Sequence, residues 1–163
     1  MLQIVKFSII KFIKQMKLSN KNAIALLLDI NQNIEEYAES SVKNIIEDKN
    51  FNFLTYPPNS GFTDLEKEEL NKLHNNEHLK NALRKIITDN SAGVIFNILN
   101  LLDGTGSPKL HYDNWTGVKL IDEDPDDNAA PFHDTLHDSF FETYWEWKKL
   151  RGKKGWQFDT YHE

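Results

Sequence analysis

The sequence predicts a mainly α-helical protein: one domain, residues 1–163, of five or six helices around a buried central helix at 91–103, with a small β element near 109–121. Three observations lead there. Apolar residues recur at three- and four-residue intervals through most of the chain, the spacing that keeps one side of a helix apolar. Helix-capping residues and helix breakers fall between those runs. The stretch Phe132–Trp147 is a four-residue repeat, FHDT, LHDS, FFET, YWEW, which winds into columns along a helix.

Taken in order, residues 1–18 form a cationic amphipathic helix with Leu2, Val5, Ile9, Phe12, Ile13 and Met16 on one stripe. It is too interrupted by lysine to span a membrane, which takes roughly 20 apolar residues, and it lacks a signal-peptide cleavage pattern. Packing on the domain is the first expectation for it; pairing with a second copy and lying on an anionic lipid surface are the alternatives. Ser19 or Asn20 caps a second helix that runs to about Asp48. The segment 51–59 then breaks helix, because Pro57 and Pro58 lack an N–H and restrict the residues before them.

Thr63 with Glu66 has capping-box spacing and opens the next helix. Asn75-Asn76 interrupts it before Leu79, Leu83, Ile86 and Ile87 resume the period. Ser91 or Asn90 caps the helix that Gly104 ends, and Val94–Leu102 leaves almost no polar side, so this helix is expected at the centre. From 104 to 131 the helical period vanishes into an acidic, irregular stretch, with a strand expected at Val118–Ile121 paired with Lys109–Tyr112. The repeat helix follows, Gly152 closes it, and the aromatic tail 152–163 is expected to fold back.

Composition narrows the chemistry. A chain of 163 residues with 39% hydrophobic and 12% aromatic content can build a packed core. No cysteine is present, which excludes disulfides, thiolate metal sites and cysteine nucleophiles and suits a cytoplasmic protein. The 17 lysines against 2 arginines fit the codon bias of an AT-rich, bacterial genome. The net charge is −6, yet residues 1–22 hold five lysines and no acid, leaving −11 on the rest. Nine carboxylates and no Lys or Arg lie between Asp122 and Glu146. A field of that sign repels nucleic acid and favours basic partners or cations.

Within the repeat, Phe132, Leu136, Phe140 and Tyr144 form an apolar column, and Asp134, Asp138, Glu142 and Glu146 an acidic one. His133 and His137, four apart, are a candidate metal pair that needs a third ligand such as His111 or Asp103. The competing expectation is two imidazoles at the edge of the core. His74-Asn-Asn-Glu77-His78 matches the H-x-x-E-H order of inverted zinc proteases over five residues only, and Asn75-Asn76 breaks the helix it needs. Asp122–Asn128 has oxygen ligands at alternating positions, but Asp127 stands where a calcium loop needs glycine and His133 where it needs glutamate. Asp103–Gly106 follows a helix instead of leading into one, so it is no phosphate cradle.

These patterns favour a non-enzymatic binding protein. Asp122, Glu123, Asp124, Asp126, Asp127, Asp134, Asp138, Glu142 and Glu146 would form one negative surface for a basic protein, with no cofactor. Size, acidity and lack of cysteine parallel proteins that neutralise a basic toxin or nuclease, an analogy of charge alone. The alternatives are a metal-dependent hydrolase built on His133 and His137, and a peripheral membrane protein anchored by residues 1–18.

Overall fold

The computed structural model describes residues 17–110, 112–124, 126 and 128–152, and of Tyr112 only the backbone. The protein is mainly α: α1 (Asn20–Val42) runs on into a π-helical turn (Lys43–Glu47), followed by α2 (Asp64–Asn71), α3 (Glu77–Leu102), a 3₁₀ turn (Tyr112–Asn114) and α4 (Leu136–Leu150). None of these helices is long and apolar enough to cross a membrane. By its contacts the chain divides into two compact units, Met1–Asn31 with Val94–Leu150 and Gln32–Gly93 with Arg151–Glu163.

In the first unit the residues before α1 and those before α4 hold each other. Asn20 N–H donates to the Ala130 carbonyl, Phe132 N–H donates to the Leu18 carbonyl, and Ser19 bridges Pro131 in antiparallel fashion. Ser19 also caps α1, its Oγ accepting the Asn22 N–H at 3.3 Å. Ala23, Leu27, Leu99, Leu136 and Phe140 are buried. The four-residue step from Ala23 through Leu27 to Asn31 carries that buried side along α1. Asn31 is polar but enclosed, and its amide donates to Leu27 O, Phe140 O and Thr143 Oγ1 at 2.9, 3.4 and 3.2 Å. It ties α1 to α4 through polar groups enclosed with it, where Thr143 Oγ1 also donates to the Phe140 carbonyl.

The second unit continues the α1 stripe through Ile34, Ala38, Val42 and Ile46, with Phe51 beyond it. At the π turn the Asp48 N–H reaches back to the Lys43 carbonyl. Lys49, with φ of +50°, sends its ammonium to the Leu70 and Leu73 carbonyls at the C-terminal end of α2, where a cation is favoured. Thr63 and Glu66 form the capping box that their spacing predicts. Asn76 caps α3 by accepting the Leu79 N–H. Phe62 packs on Phe51 and Phe53, closing the proline-bearing loop at its base.

Charge is buried in this unit too. Lys80 is held between Glu47, at 2.8 Å, and Glu77. Hydrogen bonds first to Glu47 and then to Glu77 keep the Lys80 ammonium above its ordinary pKa, and the same bond from Lys80 holds Glu47 below its own. Glu35 and Arg151 meet at 3.3 Å with both side chains almost wholly enclosed.

Several expectations change. No β-strand occurs among the described residues; segment 118–121 is irregular and a 3₁₀ turn occupies 112–114, so the expected β element is absent there. Nothing interrupts the chain at Asn90 or Ser91, and residues 91–102 are the end of the long α3. Nor is that stretch enclosed on all sides. Leu99 is buried, whereas Val94 and Ile98 are 60% and 46% exposed. Four α-helices are described in place of five or six; the helix expected in residues 1–18 lies outside the described residues up to position 16, as does the aromatic tail from 153.

The Asn31 contacts predict that Asn31→Ala destabilises the fold by about 1 kcal/mol, the net value of a buried hydrogen bond whose partners keep other bonds. Urea unfolding monitored by circular dichroism measures the loss.

Candidate functional site

The candidate residues gather on the first unit, where α4 emerges from the acidic segment. The helix begins at Leu136 and not at Phe132. The Phe132 N–H is committed to Leu18, and the first helical bond is Ser139 N–H to the Thr135 carbonyl. Thr135 and Asp138 have capping spacing, and their side chains bond at 2.6 Å.

Asp103, at the C-terminal end of α3, completes the start of α4. Its Oδ1 accepts the Leu136 N–H at 3.0 Å and its Oδ2 the His137 N–H at 2.9 Å. Oδ2 also lies 2.6 Å from Nδ1 of His137. A carboxylate at a helix N-terminus faces unpaired N–H groups and the positive end of the dipole, so all three contacts are favourable. Because Asp103 is an acceptor, Nδ1 carries the proton and Nε2 is the free lone pair in the neutral ring. Nε2 is 3.7 Å from Oδ1 of Asp138, and Phe96 meets the ring edge-on with centroids 5.5 Å apart. An aspartate orienting an imidazole is half of a general-base arrangement, but the imidazole is only 13% exposed and faces no hydroxyl nucleophile among the described contacts.

This start point places the two histidines of the expected metal pair in different local structure. His133 is exposed in the segment before the helix, so it does not stand one turn below His137. His137 has Nδ1 engaged by Asp103, and the described residues hold no group of three histidine or carboxylate side chains placed to bind an ion. The third ligand considered, His111, lies outside the described residues. The weaker pair is also parted, with His74 in the break between α2 and α3 and His78 on α3.

Asp122, expected on the negative surface, lies enclosed. It is 8% exposed, and both of its oxygens accept the Ser19 N–H at 3.2 Å, so it serves the start of α1 and not an outer surface. Burial pushes its pKa up, but hydrogen bonds from Asn22 and Ser19 outweigh this and hold it below the usual carboxylate value. Glu123, Asp124 and Asp126 of the same run are exposed, with Asp126 accepting the Asn128 N–H; Asp127 lies outside the described residues.

What remains is an outward side of α4. Leu136, Ser139, Phe140 and Thr143 face inward. Asp138, Phe141, Glu142, Trp145 and Glu146 are exposed, and Asp134 is exposed just before the helix. Phe141 and Trp145 are 55% and 53% exposed although both are anchored on one flank. Phe141 lies against Phe96 and Phe140, each with centroids 5.3 Å away, and Tyr144 meets Trp145 edge-on at 5.2 Å. Lys148 places its ammonium over the Trp145 ring, 5.4 Å from the centroid. No Lys or Arg among the described residues forms an ion pair with Asp134, Asp138, Glu142 or Glu146. The two exposed aromatics are what the sequence reading missed. Their positions, three or four residues from Asp138 and Glu142, put them among the acids once the helix is wound. Comparison of the chain with known protein families, with characterised proteins and with solved structures finds no match.

Two outcomes are expected. Asp103→Ala should cost about 2 kcal/mol, as loss of a charged helix cap does, and Asp103→Asn, which keeps one acceptor, should cost less by the same logic. Urea titration of both variants tests this order. The depressed pKa of Asp122 means that its stabilisation is fully present above the ordinary range, about pH 4, and is lost as pH falls through its lower folded value. Unfolding midpoints measured from pH 7 down to pH 2 should therefore place Asp122→Asn below the parent at neutral pH, with the two curves converging in acid.

Proposed function

We propose that this chain is a non-enzymatic binding protein that uses the outward side of α4, with Glu123, Asp124 and Asp126, to engage a basic protein. The observation that carries this reading is the composition of that side: exposed carboxylates that no Lys or Arg is seen to pair with among the described residues, interleaved with two large exposed aromatics. Rigid aromatics anchor protein interfaces, and like-charged rims steer and select partners of opposite charge. The same charge disfavours nucleic acid. Asp122 and Asp103 take no part, since helix starts consume them.

The test is binding of an acetylated, amidated peptide of alternating arginine and glycine to the full chain, measured by calorimetry. Asp126→Lys/Glu142→Lys/Glu146→Lys, which spares the helix N-terminus, should weaken it about ten-fold or more at low salt, and the parent's affinity should fall as ionic strength rises. A triple variant that binds as tightly as the parent refutes the reading.

A further inference from the structure

We infer that the acidic, aromatic side of α4 is covered by residues 1–16 of this same chain, so that an outside basic protein has to displace an internal competitor. This rests on that side being the binding face, and it names the segment that regulates access to it.

Phe141 and Trp145 are 55% and 53% exposed, Trp145 with Lys148 already over its ring. Large apolar side chains clustered at that exposure mark a contact site. They stand four apart on α4, so one segment laid along the helix covers both, and covering them requires no change at Lys148. Asp138, Glu142 and Glu146 are exposed among them. A complementary occupant therefore carries apolar side chains and positive charge together.

Residues 1–16, which lie outside the described residues, have that composition. Leu2, Val5, Ile9, Phe12, Ile13 and Met16 share one helical stripe, Lys6, Lys11 and Lys14 interrupt it, and the segment contains no acid. Its point of attachment is a second, independent observation. The Lys17 carbonyl accepts the Asp122 N–H at 3.3 Å, and the Leu18 carbonyl accepts the Phe132 N–H at 2.9 Å. The segment thus joins the described residues beside the exposed Glu123 and Asp124, and beside the chain that enters α4 at Leu136. Length is sufficient as well. The 15 residues of α4 are roughly 22 Å long, and residues 1–16 reach roughly 24 Å as a helix. A tether this short holds its end at an effective concentration on the order of millimolar. The outer side of α3 is the rival surface, with Val94 and Ile98 exposed. Only Asn97 is exposed between those two, so that side offers the lysines no carboxylate. Charge selects α4.

The test uses the arginine–glycine peptide and the full chain. Lys6→Gln/Lys11→Gln/Lys14→Gln weakens the competitor. Lys21→Gln/Lys109→Gln/Lys119→Gln removes the same charge from exposed positions of the same unit. By calorimetry the first triple variant should bind the peptide about five-fold more tightly than the second, the gain when a face covered about four-fifths of the time is released. Without peptide, the Trp145 indole N–H resonance, assigned by its loss in Trp145→Phe, should shift in the first variant and stay in place in the second. Equal peptide affinities for the two variants, or a Trp145 resonance that the first leaves in place, overturns the inference. So does a parent that sediments as a dimer which the first variant dissociates, since the segment then covers a second copy. If the inference fails while Asp126→Lys/Glu142→Lys/Glu146→Lys still weakens peptide binding, the acidic-face reading survives; if that variant is silent too, both fall.

Discussion

A helix start leaves backbone N–H groups without partners, and in this protein carboxylates distant in sequence supply them. Asp103 reaches the first turn of α4 from the end of α3, and Asp122 reaches Ser19 at the head of α1. Such bonds join an anion to the positive end of a helix dipole in a partly enclosed setting, where each is stronger than a neutral bond. They also fix phase. With α4 starting at Leu136, Leu136 and Phe140 point inward and Phe141, Glu142, Trp145 and Glu146 point outward. The extended contacts of Asn20 with Ala130 and of Phe132 with Leu18 hold the chain that enters each helix. The candidate face is thus a consequence of where two carboxylates were spent.

The second unit settles its helix ends by shorter routes, with a capping box at Thr63 and Glu66 and a lysine over the end of α2. Its longer-range order rests on enclosed ion pairs, Glu35 with Arg151 and Lys80 with Glu47 and Glu77. Pairs of this kind gain little net stability over apolar residues of equal volume, because desolvation offsets attraction. Removing one partner is a different matter, since it strands a charge in a poorly hydrated place. Such pairs penalise any arrangement that separates them.

Exposed acids near a helix are ordinary, and what distinguishes α4 is the company they keep. Phe141 and Trp145 are each braced by another ring, Lys148 lies over the Trp145 face, and both aromatics are still about half exposed. Braced rings have less side-chain entropy to lose on contact, and exposed carboxylates around them give this side of α4 a negative field. Burial of Asp122 subtracts one carboxylate from the expected negative surface without changing its sign.

Much of the helical framework was legible. Thr63 with Glu66, the break at Asn75-Asn76, the stop at Gly104 with its φ of +73° and the stop at Gly152 with its φ of +70° all stand where local chemistry places them. The buried column Leu136/Phe140 was legible from period alone. The start of α4 was not read correctly: the tetrads continue the helical pattern back to Phe132, over residues that the chain uses in extended form, while the helix begins at Leu136. Asp122, the His133/His137 separation and the exposure of Val94 and Ile98 were not legible. The sequence by itself determined helical class, most helix ends and the sign of the charge, since these depend on neighbours within a few positions. Only the tertiary structure decided which carboxylates remain outside and which sides of the helices are covered, because those outcomes depend on contacts such as Asp103 with His137 and Ser19 with Asp122, whose partners no local pattern connects.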